Sequence, residues 1–198
     1  MRRPPPGTCS PNSPAPAKNR STACFEDALA RAIEEGVALD AVLASSEAQR
    51  GQFWALRENV PAAQRRAGAS LKHDISVSVS LLPEFIERGA ALAATLAPEG
   101  FLVAYGHAGD GNLHFNLSQR PGADRAAFLA REAALKRALH DLVAAMHGSF
   151  SAEHGIGQLK VGELARYAPP AELAAMQAIK HALDPRGILN PGKVLAAP

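Results

Sequence analysis

Tyr105-Gly106-His107-Ala108-Gly109-Asp110-Gly111-Asn112-Leu113-His114-Phe115-Asn116 lies between two short apolar runs, Phe101–Ala104 and Phe115–Leu117. Its Asp110-Gly111 pair is a strong cue for a two-residue hairpin turn, whose central residues both take positive φ. With that pair as the turn, Gly109 faces Asn112, Ala108 faces Leu113, His107 faces His114 and Tyr105 faces Asn116. Directly opposed residues on an antiparallel ladder hold their Cβ atoms roughly 4.5–5.5 Å apart. Asn116, two residues beyond His114, projects from the same face. Two close imidazoles beside a carboxamide suit a metal ion and an oxygen-rich ligand. A hairpin with two solvated histidines is the other reading, because two ligands do not complete a zinc site.

Outward from this hairpin, Ser70–Ser80 sets Ile75, Val77 and Val79 in alternation with serines, which predicts a half-buried strand. Pro83 opens a helix over about Glu84–Leu96. A longer helix over roughly Asp124–Met146 carries Phe128, Leu135, Leu139, Leu142 and Met146 on one stripe. Gly148 stops it, Ser149–Ala152 is expected to be a strand, and helices follow near Gly162–Tyr167 and Pro170–Leu183. Upstream, Phe25, Leu29, Ala32 and Ile33 recur at helical spacing before Gly36. Ala41–Ala44 reads as a short strand and Glu47–Glu58 as a helix. Strands alternating with helices around a hairpin predict an α+β fold. Its antiparallel sheet carries helices mainly on one face (ferredoxin-like) and is followed by a helical C-terminal segment.

The 198 residues suit one domain with tails, placed at 23–198 behind a leader over 1–22. That leader is rich in proline, serine and basic residues, lacks apolar periodicity, and reads as disordered. A net charge of +2 with no basic stripe argues against nucleic acid. No apolar run approaches the roughly 20 residues that span a bilayer. Cys9 and Cys24 form neither a disulfide framework nor a zinc spacing, so a reduced, cytoplasmic setting is expected.

Glu153-His154, followed by Gly155-Ile156-Gly157, is where a third ligand and a base are sought. Adjacent strand residues point to opposite faces, so both reach one site only from a loop, which the glycines favour. His107, His114 and Glu153 then form a His₂-carboxylate set with open positions, the catalytic pattern for zinc. His154 is left as a general base. On the residues alone, a helix-start carboxylate and a hydrogen-bonded loop histidine are the commoner uses of such a pair. Arg57 and Lys72 suit a carboxylate, or simply face water. His140, His147 and His181 read as surface or helix-end residues. His73, between Lys72 and Asp74, is ambiguous. Gly155-x-Gly157 lacks the third glycine and the downstream acid of a dinucleotide fingerprint.

Four stretches occur in order: Leu-Arg-Glu-Asn with Ser-Leu-Lys-His-Asp-Ile-Ser, Gly-His-Ala-Gly-Asp-Gly-Asn-Leu-His-Phe-Asn, Ser-Ala-Glu-His-Gly-Ile-Gly, and Asp-Pro-Arg-Gly-Ile-Leu-Asn-Pro-Gly-Lys. Together they resemble the C-terminal domain of FAD-linked oxidases of the vanillyl-alcohol oxidase superfamily. The nearest branch is that of the D-lactate, glycolate and D-2-hydroxyglutarate dehydrogenases. The likeness runs from about Phe25 to Val194. It implies His107, His114 and Glu153 as ligands of Zn²⁺ or a similar divalent metal, and His154 as the acceptor of the substrate hydroxyl proton. It also implies Arg57 and Lys72 as carboxylate-binding cations, Asn116 as a polar group beside the substrate, and Asn190 in the segment that approaches FAD. The substrate implied is a small 2-hydroxy acid, oxidised to a 2-oxo acid.

Such enzymes carry a large N-terminal FAD-binding domain, and the leader stands in its place here. The chain is therefore expected to be inactive alone and to need a flavin-binding domain or subunit in trans. The alternative is a metal-binding remnant without a redox partner; metal-dependent hydrolysis lacks a leaving-group acid. Pro61 stands where relatives offer a hydroxyl to the substrate, and Ser78 stands where proline is expected.

Overall fold

The computed structural model describes residues 17–107 and 109–197. Most of the expected leader falls outside these, but Ala17–Thr22 already belongs to a helix, α1 (Ala17–Glu34). Contacts divide the chain into two units, residues 1–59 and 60–198. The first contains α1 and the start of α2 (Glu47–Ala67). Phe25 and Ile33, read above at helical spacing, are exposed, as are Phe53 and Leu56 on α2. Cys24 is disulfide-bonded, which cysteine count and spacing did not predict. Residues 41–44 are irregular and not a strand. A four-residue apolar run becomes a strand only where another strand's edge accepts it. Helix α2 continues past Glu58 through Pro61 to Ala67, although an interior proline removes one backbone donor.

The second unit is built on β4 (Asn112–Gln119), which pairs antiparallel with β3 (Gly100–His107) on one side. On its other side lie β1 (Ser70–Leu71) and β2 (Asp74–Ser76). Those two short strands are one strand with a gap. Ser70 faces Ser118 and Asp74 faces His114, the same register carried through. At the gap, the His73 N–H is diverted to the Asn116 side-chain Oδ1 at 3.2 Å.

Period-two alternation sorts β4 into two faces. Leu113, Phe115 and Leu117 point into the core with Leu71, Ile75 and Leu102. Helices α3 (Leu82–Leu96) and α5 (Glu132–Ala145) cover that face with Phe85, Ala93, Leu135, Leu139 and Val143. Helix α3 lies close enough that a Cβ on Gly89 would stand 2.9 Å from Phe115 Cζ. The opposite face carries Asn112, His114, Asn116 and Ser118, and the last turns of α2 cover part of it. There Gln64 Nε2 donates to Ser118 Oγ and Asn116 Nδ2 donates to Gln64 Oε1, each at 3.2 Å. The α+β architecture is thus as expected.

The helix expected over 124–146 is two helices, α4 (Arg125–Ala130) and α5, broken at Arg131, whose guanidinium is held by Glu99 at 3.0 Å. The segment 149–152 forms a single bridge, Ser149 with Ser76, rather than a strand. Helices α6 (Val161–Tyr167) and α7 (Pro170–Leu183) complete the unit. Among the described residues, no helix is long and apolar enough to cross a membrane.

Two histidines lie on the core side. His140, expected at the surface, is buried on α5 and shares a 2.8 Å hydrogen bond between Nδ1 and Glu163 Oε2. Burial disfavours its charged form and outweighs the carboxylate. His73 is buried beside it, ring centroids 6.1 Å apart, with neither ring nitrogen hydrogen-bonded. Burial first, then the charges of His140, Lys136 and Lys160, lower the His73 pKa to about 3. The unfolded chain, with an imidazole near pH 6.5, therefore binds more protons than the fold in the window between. Stability from this group is complete above about pH 6.5 and is lost as pH falls toward 3. Urea unfolding of His73→Leu against pH should show that acid-side slope reduced by up to about 1.4 kcal/mol per pH unit. Stability near neutrality should be unchanged or higher, since two unpaired polar atoms are removed. An unaltered slope would contradict this account.

Candidate metal and substrate site

The hairpin differs from expectation in register. His107 pairs with Asn112 and Tyr105 with His114, so residues 108–111 form a four-residue connection. Asp110 is the cause. Its Oδ1 accepts the Asn112 N–H at 2.9 Å, and its own N–H donates to the His107 carbonyl at 3.3 Å. Gly111 alone in the pair takes a positive φ, +77°, and Val77 O sits 1.9 Å from where its Cβ would be. The displacement is two residues, so every side chain keeps its face. His107 and His114 therefore share a face as diagonal neighbours, about 7–8 Å apart by sheet geometry, rather than as an opposed pair.

His114 is instead flanked by Asp74 on β2 and Tyr105 on β3. Its Nε2 lies 3.7 Å from Glu153 Oε2, and its Nδ1 lies 3.9 Å from Asp74 Oδ1. Asp74, His114 and Glu153 each offer a ligand atom within 4.8 Å of the others. Imidazole and carboxylate groups brought this close are the donor chemistry that fits a divalent cation such as Zn²⁺. Two predicted ligands, His114 and Glu153, are therefore together; His107 is exposed at the end of β3 and outside the group.

Asp74 is the residue that sequence reasoning missed. It is 3 % exposed, and its Oδ2 accepts the backbone N–H groups of Glu153 at 2.9 Å and His154 at 3.0 Å. Burial alone would raise its pKa. The two backbone donors, with the charges of His154 and Lys160, overcome that and hold the carboxyl below its ordinary range. The signal was present in the serine phase of the strand, since Ser70, Asp74 and Ser76 share one parity and so one face. Lys160 braces the same loop, its Nζ donating to Ser151 Oγ at 2.9 Å and Phe150 O at 3.3 Å.

His154 is well exposed, with Nδ1 3.4 Å from Asp74 Oδ2 and its ring 5.8 Å from that of His114. Glu153 and His154 thus reach one place from a loop, as anticipated. Lys72 is exposed in the gap between β1 and β2. Asn116 is buried, and both ends of its amide are engaged, by His73 and Gln64. Arg57 is half-buried on the part of α2 that belongs to the first unit. Asn190, at φ +47°, lies in the C-terminal loop, where Lys193 Nζ donates to its Oδ1 at 3.4 Å.

The chain is 38 % identical over 165 residues to a D-2-hydroxyglutarate dehydrogenase of Stutzerimonas stutzeri, covering 83 % of this chain and 35 % of the relative. It is 39 % identical over 162 residues to the enzyme so named in Xanthomonas citri pv. viticola, covering 82 % and 34 %. It is 36 % identical over 171 residues to the mitochondrial one of Arabidopsis thaliana, covering 86 % and 29 %. The chain therefore spans about a third of the length of these curated relatives. The family described as "FAD linked oxidases, C-terminal domain" matches residues 11–194, nearly the whole chain. With that match lying over the loop and hairpin just described, the chain belongs to the FAD-linked oxidase C-terminal domain family.

Proposed function

We propose that this chain is the substrate- and metal-binding portion of a flavin-linked dehydrogenase that oxidises a D-2-hydroxy acid to the 2-oxo acid. D-2-hydroxyglutarate is the substrate its relatives' names suggest. The observation that supports this reading best is the convergence of His114, Glu153 and the exposed His154 on one spot. His114 and Glu153 would hold the cation, and His107, on the same face, would reach it by turning its side chain. A divalent cation supplies acidity, lowering the pKa of a hydroxyl it touches, and FAD supplies a two-electron acceptor.

Oxidation of a secondary alcohol releases one proton and one hydride equivalent. This chain's residues serve the proton. With Nδ1 of His154 turned toward Asp74, Nε2 is the atom left to accept it. Lys72 offers a point charge to the substrate carboxylate, and the Leu-Arg-Glu-Asn motif assigns Arg57 the same task. Asn116 serves through Gln64, holding α2 against the polar face. Asn190 enters this reading only through its motif. The exposed apolar side chains of α1 and α2 support a further protein surface against them, which a flavin-binding part would supply.

Calorimetric titration of the chain with Zn²⁺ or Co²⁺ should show one site. His114→Ala should weaken it by at least about 100-fold, since even outer-shell partners account for roughly 10–100-fold. Retention of full affinity in that variant would remove the metal site. Dye reduction with D-2-hydroxyglutarate, after addition of a relative's flavin-binding domain, should fall by about 10²–10⁴ in kcat for His154→Gln while metal binding persists. Equal rates in the two proteins would exclude His154 as the base.

A further inference from the structure

We propose that Asp74 is a positioning residue and not a ligand: its carboxylate fixes His114 as the Nδ1–H tautomer, aiming Nε2 at the cation, and in the same act seats Glu153 and His154.

A carboxylate has about four acceptor positions, two on each oxygen. On Asp74 Oδ2, both are taken by the N–H groups of Glu153 and His154, at 2.9 and 3.0 Å, with His154 Nδ1 also 3.4 Å from that oxygen. On Oδ1, one is taken by Asn112 Nδ2 at 3.3 Å. The other has His114 Nδ1 as its neighbour at 3.9 Å. With that distance closed to a hydrogen bond, the carboxylate would have no lone pair left for a metal. His114 Nε2, on the far side of the ring, already looks toward Glu153 Oε2 at 3.7 Å.

The order carboxylate, imidazole, cation is how outer-shell groups set the tautomer and basicity of a liganding histidine. Neighbouring structure favours this role over ligation. Asp74 is 3 % exposed, whereas Glu153 is 47 % exposed, as an approachable ligand should be. Asp74 also meets the loop through its backbone, its carbonyl accepting the Ala152 N–H at 3.4 Å. A buried carboxylate without donors is costly, so the Glu153-His154 loop is kept closed by the need to satisfy it. The strand partner of His114 and the anchor of the loop are thus one residue.

This inference rests on the metal site proposed above, but its first test does not. Long-range ¹H–¹⁵N spectra of the metal-free full chain, with His114 assigned by its loss in His114→Ala, should show the Nδ1–H tautomer. Asp74→Asn presents an amide NH₂ to that nitrogen and should switch the ring to Nε2–H. Its Co²⁺ affinity should fall about 10–100-fold, with the visible Co²⁺ spectrum unchanged in shape and intensity because no ligand is lost. An Nε2–H ring in the unaltered chain overturns the proposal. So does unchanged affinity in Asp74→Asn, or a spectrum reporting a changed ligand set, which would make Asp74 a ligand. If Asp74→Asn proves unfolded by circular dichroism, the tautomer in the unaltered chain decides alone. Absence of Co²⁺ binding to the unaltered chain would instead remove the metal-site reading, with the tautomer still deciding what Asp74 does to His114.

Discussion

Strand β4 is hydrogen-bonded to every other strand of the sheet, and the strict alternation of its side chains governs what the rest of the second unit can be. Its odd-numbered residues Leu113, Phe115 and Leu117 are apolar and must be covered, which fixes α3 and α5 on that side. Its even-numbered residues are polar, and they meet a strand, a loop and the end of a helix that supply hydrogen-bonding groups. Neither face could be exchanged for the other without burying Asn112, His114 and Asn116 in the core. The sheet is therefore less a platform beneath the site than a partition, with chemistry on one side and cohesion on the other.

The partition has one exception that shows its energetic terms. His73 follows the core parity of the edge strand and carries its imidazole inside, unpaired, while its backbone N–H leaves the ladder for Asn116. The neighbouring His140 is satisfied by Glu163, which also receives Arg137 at 3.4 Å and ties α6 to α5. A polar ring without a partner and a polar ring with one thus sit side by side, and only the second contributes a link between elements. The first is tolerated because it remains uncharged at ordinary pH.

Much of this was legible in the sequence. Helix α7 occupies Pro170–Leu183 as its proline and periodicity foretold, and the polar and apolar phases of β4 were evident from Leu-His-Phe-Asn-Leu. The loop carrying Glu153 and His154 was also readable, because two glycines follow within four residues. What could not be read was whatever depends on a distant partner. Ala41–Ala44 has the composition of a strand but no edge to join. The hairpin register turned on whether Asp110 would serve as a turn residue or as a side-chain acceptor, a choice between two local hydrogen-bond patterns of similar strength. His140 looked like a surface residue because Glu163, the group that makes its burial affordable, lies 23 positions away. Asp74 was passed over for the same reason, since its partners are nearly 80 residues downstream.

The gap between β1 and β2 has a consequence for how this segment can vary. The pairings of Ser70 with Ser118 and of Asp74 with His114 belong to one continuous count, so no residue has been inserted or looped out between them. The interruption is one of bonding alone. Loss or gain of a single amino acid between Leu71 and Asp74 would rotate the contents of the two sides, sending a carboxylate into the hydrocarbon interior and an imidazole out to the cation's neighbourhood. Length changes in homologous chains should therefore be barred from these few positions and accumulate in the connections beyond the sheet.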